Sequence, residues 1–144
     1  MIDRAARDVA AQLVRQFRDG ELTNDDLEDR WPYRSADRAL AALASMLWRF
    51  YDDHRTHAID DLHPETAAEL TRYALFLDTD LPYEWSLDRF DTVDWLGFAN
   101  RLTLGVIPAL SKKVESRYQA ISNEGDVTVW PFARAADMPA ELVP

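Results

Sequence analysis

The sequence predicts an all-α or mainly α protein, a bundle of five or six helices with at most one short strand near the C-terminus. Three observations support this fold class. Apolar residues recur every three or four positions in several segments, helix-capping residues precede those segments, and strict alternation is confined to residues 126–130. The 144 residues match the size of one domain, and no internal repeat or linker divides the chain, so residues 1–144 are expected to form a single domain.

The first segment has the pattern of an amphipathic helix that ends near Gly20, a residue suited to a C-terminal cap. Its apolar stripe consists of Ile2, Ala6, Val9, Ala10, Leu13 and Phe17. The other face carries four arginines, which predicts a solvated surface: Arg4, Arg7, Arg15 and Arg18.

A second, short helix is predicted to begin at Thr23. The hydroxyl of Thr23 can cap the free N–H groups, and Asp25 and Asp26 complement the positive end of the helix dipole. The pair Trp31-Pro32 ends it, because a residue before proline avoids the α conformation.

A longer central helix is predicted after Ser35, with the best apolar pattern in the chain. Its stripe contains Leu40, Leu43, Ala44, Leu47, Phe50, Tyr51 and His54. We expect Leu47 to be a core residue at the centre of the fold.

The rest of the chain predicts three more helices, which begin at Pro64, at Asp91 and at Pro108. Residues 102–107 fit either a helix end or a short strand. The alternation of residues 126–130 predicts a short strand.

Composition and charge exclude several classes of protein. Asp and Glu number 26 against 16 Lys and Arg, a net charge of −10 that argues against a nucleic-acid partner. With no cysteine, the chain has no thiol nucleophile, disulfide or cysteine-ligated metal, and we expect no cofactor. No apolar run reaches the roughly 20 residues that span a bilayer, and the N-terminus is unlike a signal peptide, so we expect a cytoplasmic protein without membrane contact.

The acidic residues are concentrated in the middle of the chain. Between Asp19 and Asp94 there are 19 acidic and seven basic residues, against seven acidic and nine basic residues elsewhere. Such a surface attracts a basic protein partner, although acidic helix faces also serve solubility alone. The oligomeric state is not indicated.

Three aromatic clusters stand at predicted element boundaries, and they have two interpretations. Loop aromatics anchor partners, which makes the following residues candidates for a binding site: Trp31, Tyr33, Tyr83, Glu84, Trp85 and Trp130. Alternatively the rings close the ends of the core, in which case Trp31, Trp85 and Trp130 are buried with their indole N–H groups bonded.

All three histidines lie within residues 54–63 among several aspartates. If the central helix continues, Asp53, His57 and Asp61 are each one turn apart and can share a metal ion. A metal-assisted hydrolase is therefore the alternative function. The cluster lacks a His-Glu-x-x-His or Glu-x-x-His motif, and a solvated or structural role is the favoured interpretation.

Three stretches, residues 23–32, 47–53 and 76–85, together resemble small uncharacterised bacterial proteins of about this length. The resemblance implies a bacterial, cytoplasmic, stand-alone protein and assigns no activity or site residue. From the residues themselves, the first hypothesis is a protein-binding or regulatory module, such as an immunity protein. An enzyme ranks second.

Overall fold

Four α-helices hold nearly half of the residues described by the computed structural model, which are residues 1–51, 64–86, 112, 116 and 119–140. These helices are α1 (Arg4–Arg18), α2 (Asn24–Arg30), α3 (Arg38–Leu47) and α4 (Pro64–Leu77). Single 3-10 turns lie at Trp48–Phe50, Val127–Val129 and Ala135–Asp137. The described ranges are mainly helical and contain no sheet, which confirms the predicted fold class. Within them, no helix is long and apolar enough to cross a membrane.

The helix ends follow local sequence signals. Thr23 and Asp26 form a reciprocal capping box at the start of α2, as the Thr-Asn-Asp-Asp run predicts. Gly20 follows the last residues of α1 with a φ of 73°, a conformation that costs little only for glycine. Pro64 is the first residue of α4, as predicted.

The core lies between the helices, with α1 and α4 in the most extensive contact. The large apolar side chains buried in the helices are Leu13, Val14, Phe17, Leu27, Leu40, Leu43, Leu47, Leu70, Tyr73, Phe76 and Leu77. Leu47 is 1% exposed, which confirms its predicted place in the core.

The orientation of α1 differs from the predicted one. Val9 and Ile2, expected inside, are exposed, whereas Arg7, expected in solvent, is completely buried. The reason is tertiary: α1 turns the side that carries Ala11 and Val14 towards α4 and the core. The arginine face is therefore not a solvated surface throughout.

Buried Arg7 is held by a set of partners from three segments. Its Nε donates to Asp37 Oδ2 at 2.6 Å and its Nη2 to Asp37 Oδ1 at 3.2 Å, a two-pronged ion pair at the start of α3. Its Nη1 donates to the carbonyls of Thr79 and Leu81 after α4. The guanidinium also lies 5.3 Å from the ring centre of Phe76. One side chain thus ties α1, the N-terminus of α3 and the loop after α4 together.

The central helix is shorter than the sequence predicts. The α-helix ends at Leu47, a 3-10 turn follows, and Tyr51 is extended with φ −82° and ψ 149°. His54 and residues 52–63 lie outside the described residues. The expectation that this helix runs on through Tyr51 is wrong, because the backbone leaves helical geometry at Tyr51.

The predicted strand at residues 126–130 is also wrong. Residues Val127–Val129 form a 3-10 turn in which the side chain of Asp126 accepts hydrogen bonds from the backbone N–H and the hydroxyl of Thr128. A local Asx-type turn therefore replaces the strand, since the described part of the chain offers no strand to pair with it.

Three predicted elements fall wholly or mainly outside the described residues. The helix expected from Asp91 and the ambiguous residues 102–107 lie outside the described residues. Of the helix expected from Pro108, residues 119–122 are helical, and a turn at Asn123 and Glu124 ends it as predicted.

Candidate docking surface

The first aromatic cluster is divided between the core and the surface. Trp31 is buried, and its indole N–H donates to the carbonyl of Leu40 at 3.2 Å. Tyr33, two residues later, is 55% exposed. Trp31 is therefore part of the core, whereas the ring of Tyr33 is at the surface.

The second and third clusters meet each other inside the protein. The indole N–H of Trp130 donates to the phenol oxygen of Tyr83 at 3.2 Å, and that of Trp85 donates to the carbonyl of Pro131 at 3.1 Å. Tyr83, Trp85 and Trp130 are all buried. Burial raises the pKa of the Tyr83 phenol, because desolvation disfavours its charged form.

The structure therefore confirms the packing interpretation for three indoles, those of Trp31, Trp85 and Trp130. These three residues and Tyr83 are at most 6% exposed and offer a partner little contact area, although Trp31 also lines a cleft. Glu84 stays at the surface, where its carboxylate faces Arg134 at 3.5 Å. Of the six candidate binding residues, only Tyr33 and Glu84 are accessible.

A separate set of rings is accessible near Tyr33. Trp48 is 53% exposed, and its ring centre lies 5.4 Å from that of half-buried Tyr51, with the two planes inclined by 35°. The phenol of Tyr51 also lies within electrostatic range of Tyr33. We call Tyr33, Trp48 and Tyr51 the aromatic patch.

The polar atoms of the aromatic patch are open to solvent. The indole N–H of Trp48 and the phenol groups of Tyr33 and Tyr51 make no hydrogen bond within the described part of the chain. The three buried indoles, by contrast, all donate internally. Rings that combine apolar area with a free polar edge are the type enriched at protein interfaces.

Negative charge borders the aromatic patch. Burial raises the pKa of the Tyr51 phenol most, and the neighbouring Tyr33, Glu28 and Asp25 raise it further. The pKa of Tyr33 is likewise raised, first by partial burial and then by Glu28. The side chains of α2 thus place a negative potential over the rings.

A cleft of about 600 Å³ opens on the other side of Tyr33. Its polar lining includes Asp3, Asp29, Arg34 and Ser35. The carboxylate of Asp3 is engaged with the N–H of Ala6 and the hydroxyl of Ser35, while Asp29 and Arg34 are exposed. Tyr33 therefore borders both the cleft and the aromatic patch.

Sequence analysis did not single out Trp48 or Tyr51 as site residues. Tyr51 lies on the apolar stripe, and its accessibility follows from the end of α3 at Leu47. The position of Trp48 could have indicated its exposure, because Trp48 is not part of the apolar stripe of the central helix. A large ring in that position marks a surface contact.

The predicted metal ligands Asp53, His57 and Asp61 lie outside the described residues. The prediction placed these three residues on a continuation of the central helix, but that helix ends at Leu47. Among the residues that the structure does describe, no group of three or more potential ligands is close enough to hold a metal ion.

No family model, curated protein or solved structure matches this chain. The resemblance to small bacterial proteins therefore stays a prediction, and it gives no residue a role. The functional inference rests on the geometry of the aromatic patch and on the charge around it.

Proposed function

We propose that this protein is a protein-binding module, regulatory or immunity-like, whose docking face is the aromatic patch with its bordering acids Asp25 and Glu28. The partner presents a basic segment. The observation that carries the proposal is the contrast among the described tryptophans: three are buried and donate internally, and Trp48 is exposed at the surface.

An exposed tryptophan is costly to keep at a surface that has no use for it. Full burial of a large apolar side chain is worth about 1.5–3 kcal/mol, so Trp48 forgoes part of that stabilisation in the free protein. A partner that covers the rings of Trp48, Tyr33 and Tyr51 recovers this burial free energy on binding. Tryptophan and tyrosine are accordingly the residues most enriched at interface hot spots.

Charge supports a basic partner. The helix α2 contains three aspartates and one glutamate with a single arginine, and the whole chain carries a net charge of −10. Such a field accelerates association with a cationic segment and disfavours an acidic one. The cleft beyond Tyr33 is lined by exposed groups of both signs, Asp29 and Arg34, and offers space in which a segment can lie.

A peptide-display selection on the immobilised full chain tests this proposal. We expect the selected peptides to be rich in basic residues and to bind the wild type more weakly as salt is added. Trp48→Ala should weaken them by about 2 kcal/mol or more, roughly 30-fold, as for an interface hot spot. Glu28→Gln should weaken them to a smaller extent.

Two matched variants serve as controls. Val127→Ala removes an exposed apolar side chain, and Glu21→Gln removes an exposed acid, both outside the docking face. Neither should change peptide binding. Peptides without basic residues, or equal losses in Trp48→Ala and Val127→Ala, would refute the proposal.

A further inference from the structure

We infer that the aromatic patch receives arginine side chains of the partner in preference to lysine. This inference rests on the proposed function and specifies the chemistry of the segment that the docking face takes. It is drawn from how the described part of the protein uses its own arginines.

The fold pairs a guanidinium with both a ring and a carboxylate at two places. Arg7 lies 5.3 Å from the ring centre of Phe76 while it bonds to Asp37. Arg49 lies 5.7 Å from the ring centre of Phe50 and 3.3 Å from the carboxylate of Glu69. A ring beneath the guanidinium and a carboxylate at its edge satisfy both its flat face and its donors.

The aromatic patch presents these same two components at the surface. The exposed ring of Trp48 contacts the half-buried ring of Tyr51, and Glu28 and Asp25 lie within electrostatic range of Tyr51. Within the described residues, no guanidinium stacks on Trp48, Tyr51 or Tyr33. The exposed ring of Trp48 and the nearby carboxylate of Glu28 are thus available to a guanidinium from outside.

The shape of the patch favours arginine over lysine. Trp48 is more than half exposed and contacts Tyr51 with the two planes inclined by 35°, so its exposed surface is an open platform and not part of an enclosing cage. A planar, weakly hydrated guanidinium stacks on such a platform and keeps its in-plane donors for carboxylates. A compact ammonium group is strongly hydrated and gains less from an open face.

Two synthetic peptides of identical length test this preference. One has arginine and the other lysine at every basic position, with glycine, serine and leucine between them, and a third peptide has glutamine at those positions. Titration of the full chain at low salt, followed by calorimetry, should show the arginine peptide binding about fivefold more tightly than the lysine peptide.

Substitutions at Trp48 separate stacking from charge. Trp48→Phe keeps a ring and should retain a preference for arginine, whereas Trp48→Leu keeps apolar area and should bring the two peptides to equal affinity. Glu28→Gln should weaken both basic peptides, and Glu21→Gln should weaken neither.

Each result has a distinct meaning. Equal affinities of the two basic peptides for the wild type would refute the arginine preference and leave the proposed docking function standing. Failure of both to bind better than the glutamine peptide would refute both proposals. A preference for arginine that persists in Trp48→Leu would overturn the inference, since the ring would not be its source.

Discussion

The side chain of Arg7 illustrates how one buried charge is accommodated. Its Nε, Nη1 and Nη2 all donate, to Asp37 and to the carbonyls of Thr79 and Leu81. The carboxylate of Asp37 also accepts from the backbone N–H groups of Asp3 and Ala39. Both charges are therefore compensated by hydrogen bonds as well as by each other, which is the condition for burying an ion pair.

Removing Arg7 should be strongly destabilising. Arg7→Met leaves the Asp37 carboxylate buried without its counter-charge, and we expect a loss of about 3–5 kcal/mol in the free energy of unfolding. Arg15→Met is the matched control, because Arg15 lies on the same helix as Arg7 and also forms an ion pair. Its partner is Asp78, and both side chains of that pair are roughly 40% exposed. Its loss should be about 0–1 kcal/mol. Urea titrations that give similar losses for the two variants would contradict this account of the buried pair.

The free energy of unfolding at acid pH should depend on the ionisation of Asp37. Desolvation raises the pKa of this carboxyl, but hydrogen bonds from Arg7 and from the N–H groups of Asp3 and Ala39, with the charge of Arg7, outweigh it. The pKa therefore lies below its ordinary value of 3.8. A carboxyl with a lowered pKa stabilises the fold above its unfolded pKa, and this contribution is lost as the pH falls through the folded pKa.

We accordingly expect the free energy of unfolding of the wild type to fall more steeply below about pH 3.8 than that of Asp37→Asn. Urea titrations at a series of acid pH values measure the two slopes, and a constant offset between the proteins does not affect the comparison. Parallel pH profiles would show that Asp37 makes no such contribution.

At the scale of an element, the end of α3 places two neighbouring side chains in opposite environments. Leu47 is fully buried, whereas Trp48 begins the 3-10 turn with its ring at the surface. Leu47→Ala should cost roughly 2–5 kcal/mol through lost burial and a residual cavity. Trp48→Ala, although it removes more atoms, should cost about 0.5 kcal/mol or less, as for surface substitutions.

Thermal melts of the two variants check this difference. The melts of the Trp48 variants are also needed for the docking experiments, because those experiments require variants that fold. A large drop in melting temperature for Trp48→Ala would indicate that the ring stabilises the fold, and a negligible drop for Leu47→Ala would mean that its burial contributes little.

The helix α2 supplies the charge of the docking face, and its cap fixes its position. Thr23 and Asp26 hold the first turn, while Leu27 anchors the helix in the core. Glu28 lies close enough to raise the pKa of both Tyr33 and Tyr51, and Asp25 close enough to raise that of Tyr51. A short helix of seven residues is thereby rigid enough to present carboxylates at a defined place.

At the scale of the whole molecule, tryptophan fluorescence should separate the two environments. Trp31, Trp85 and Trp130 are shielded, and Trp48 is exposed. Trp48→Phe should shift the emission maximum to shorter wavelength and reduce the fraction of the emission that acrylamide quenches readily. The comparison with the wild type isolates Trp48, since every other tryptophan is common to both proteins. An unchanged quenching profile would contradict the exposure of Trp48.

The metal hypothesis for Asp53, His57 and Asp61 can be tested on the intact chain. We expect zinc or manganese to leave the melting temperature unchanged and His57→Ala to cost less than about 1 kcal/mol, as for most surface substitutions. A melting temperature that rises sharply with either metal, and no longer rises in His57→Ala, would favour the hydrolase over the binding module.

The sequence by itself determined the features that depend on neighbours along the chain. The capping box at Thr23, the glycine after α1 and the start of α4 at Pro64 are set by hydrogen bonds and dihedral preferences within a few residues. The helical class and the negative charge around α2 also follow from pattern and composition. For the candidate site, this local information identified Tyr33 and the acidic character of its surroundings.

Only the tertiary structure decided which faces are covered. Arg7 is buried and Val9 exposed because α4 packs against one side of α1, a choice that α1 alone does not encode. Trp85 and Trp130 became core residues because distant segments meet and satisfy their N–H groups. Trp48 stayed outside because α3 ends at Leu47 and turns its ring away from that core. A side chain's burial depends on contacts between segments far apart in sequence, and local spacing does not determine those contacts.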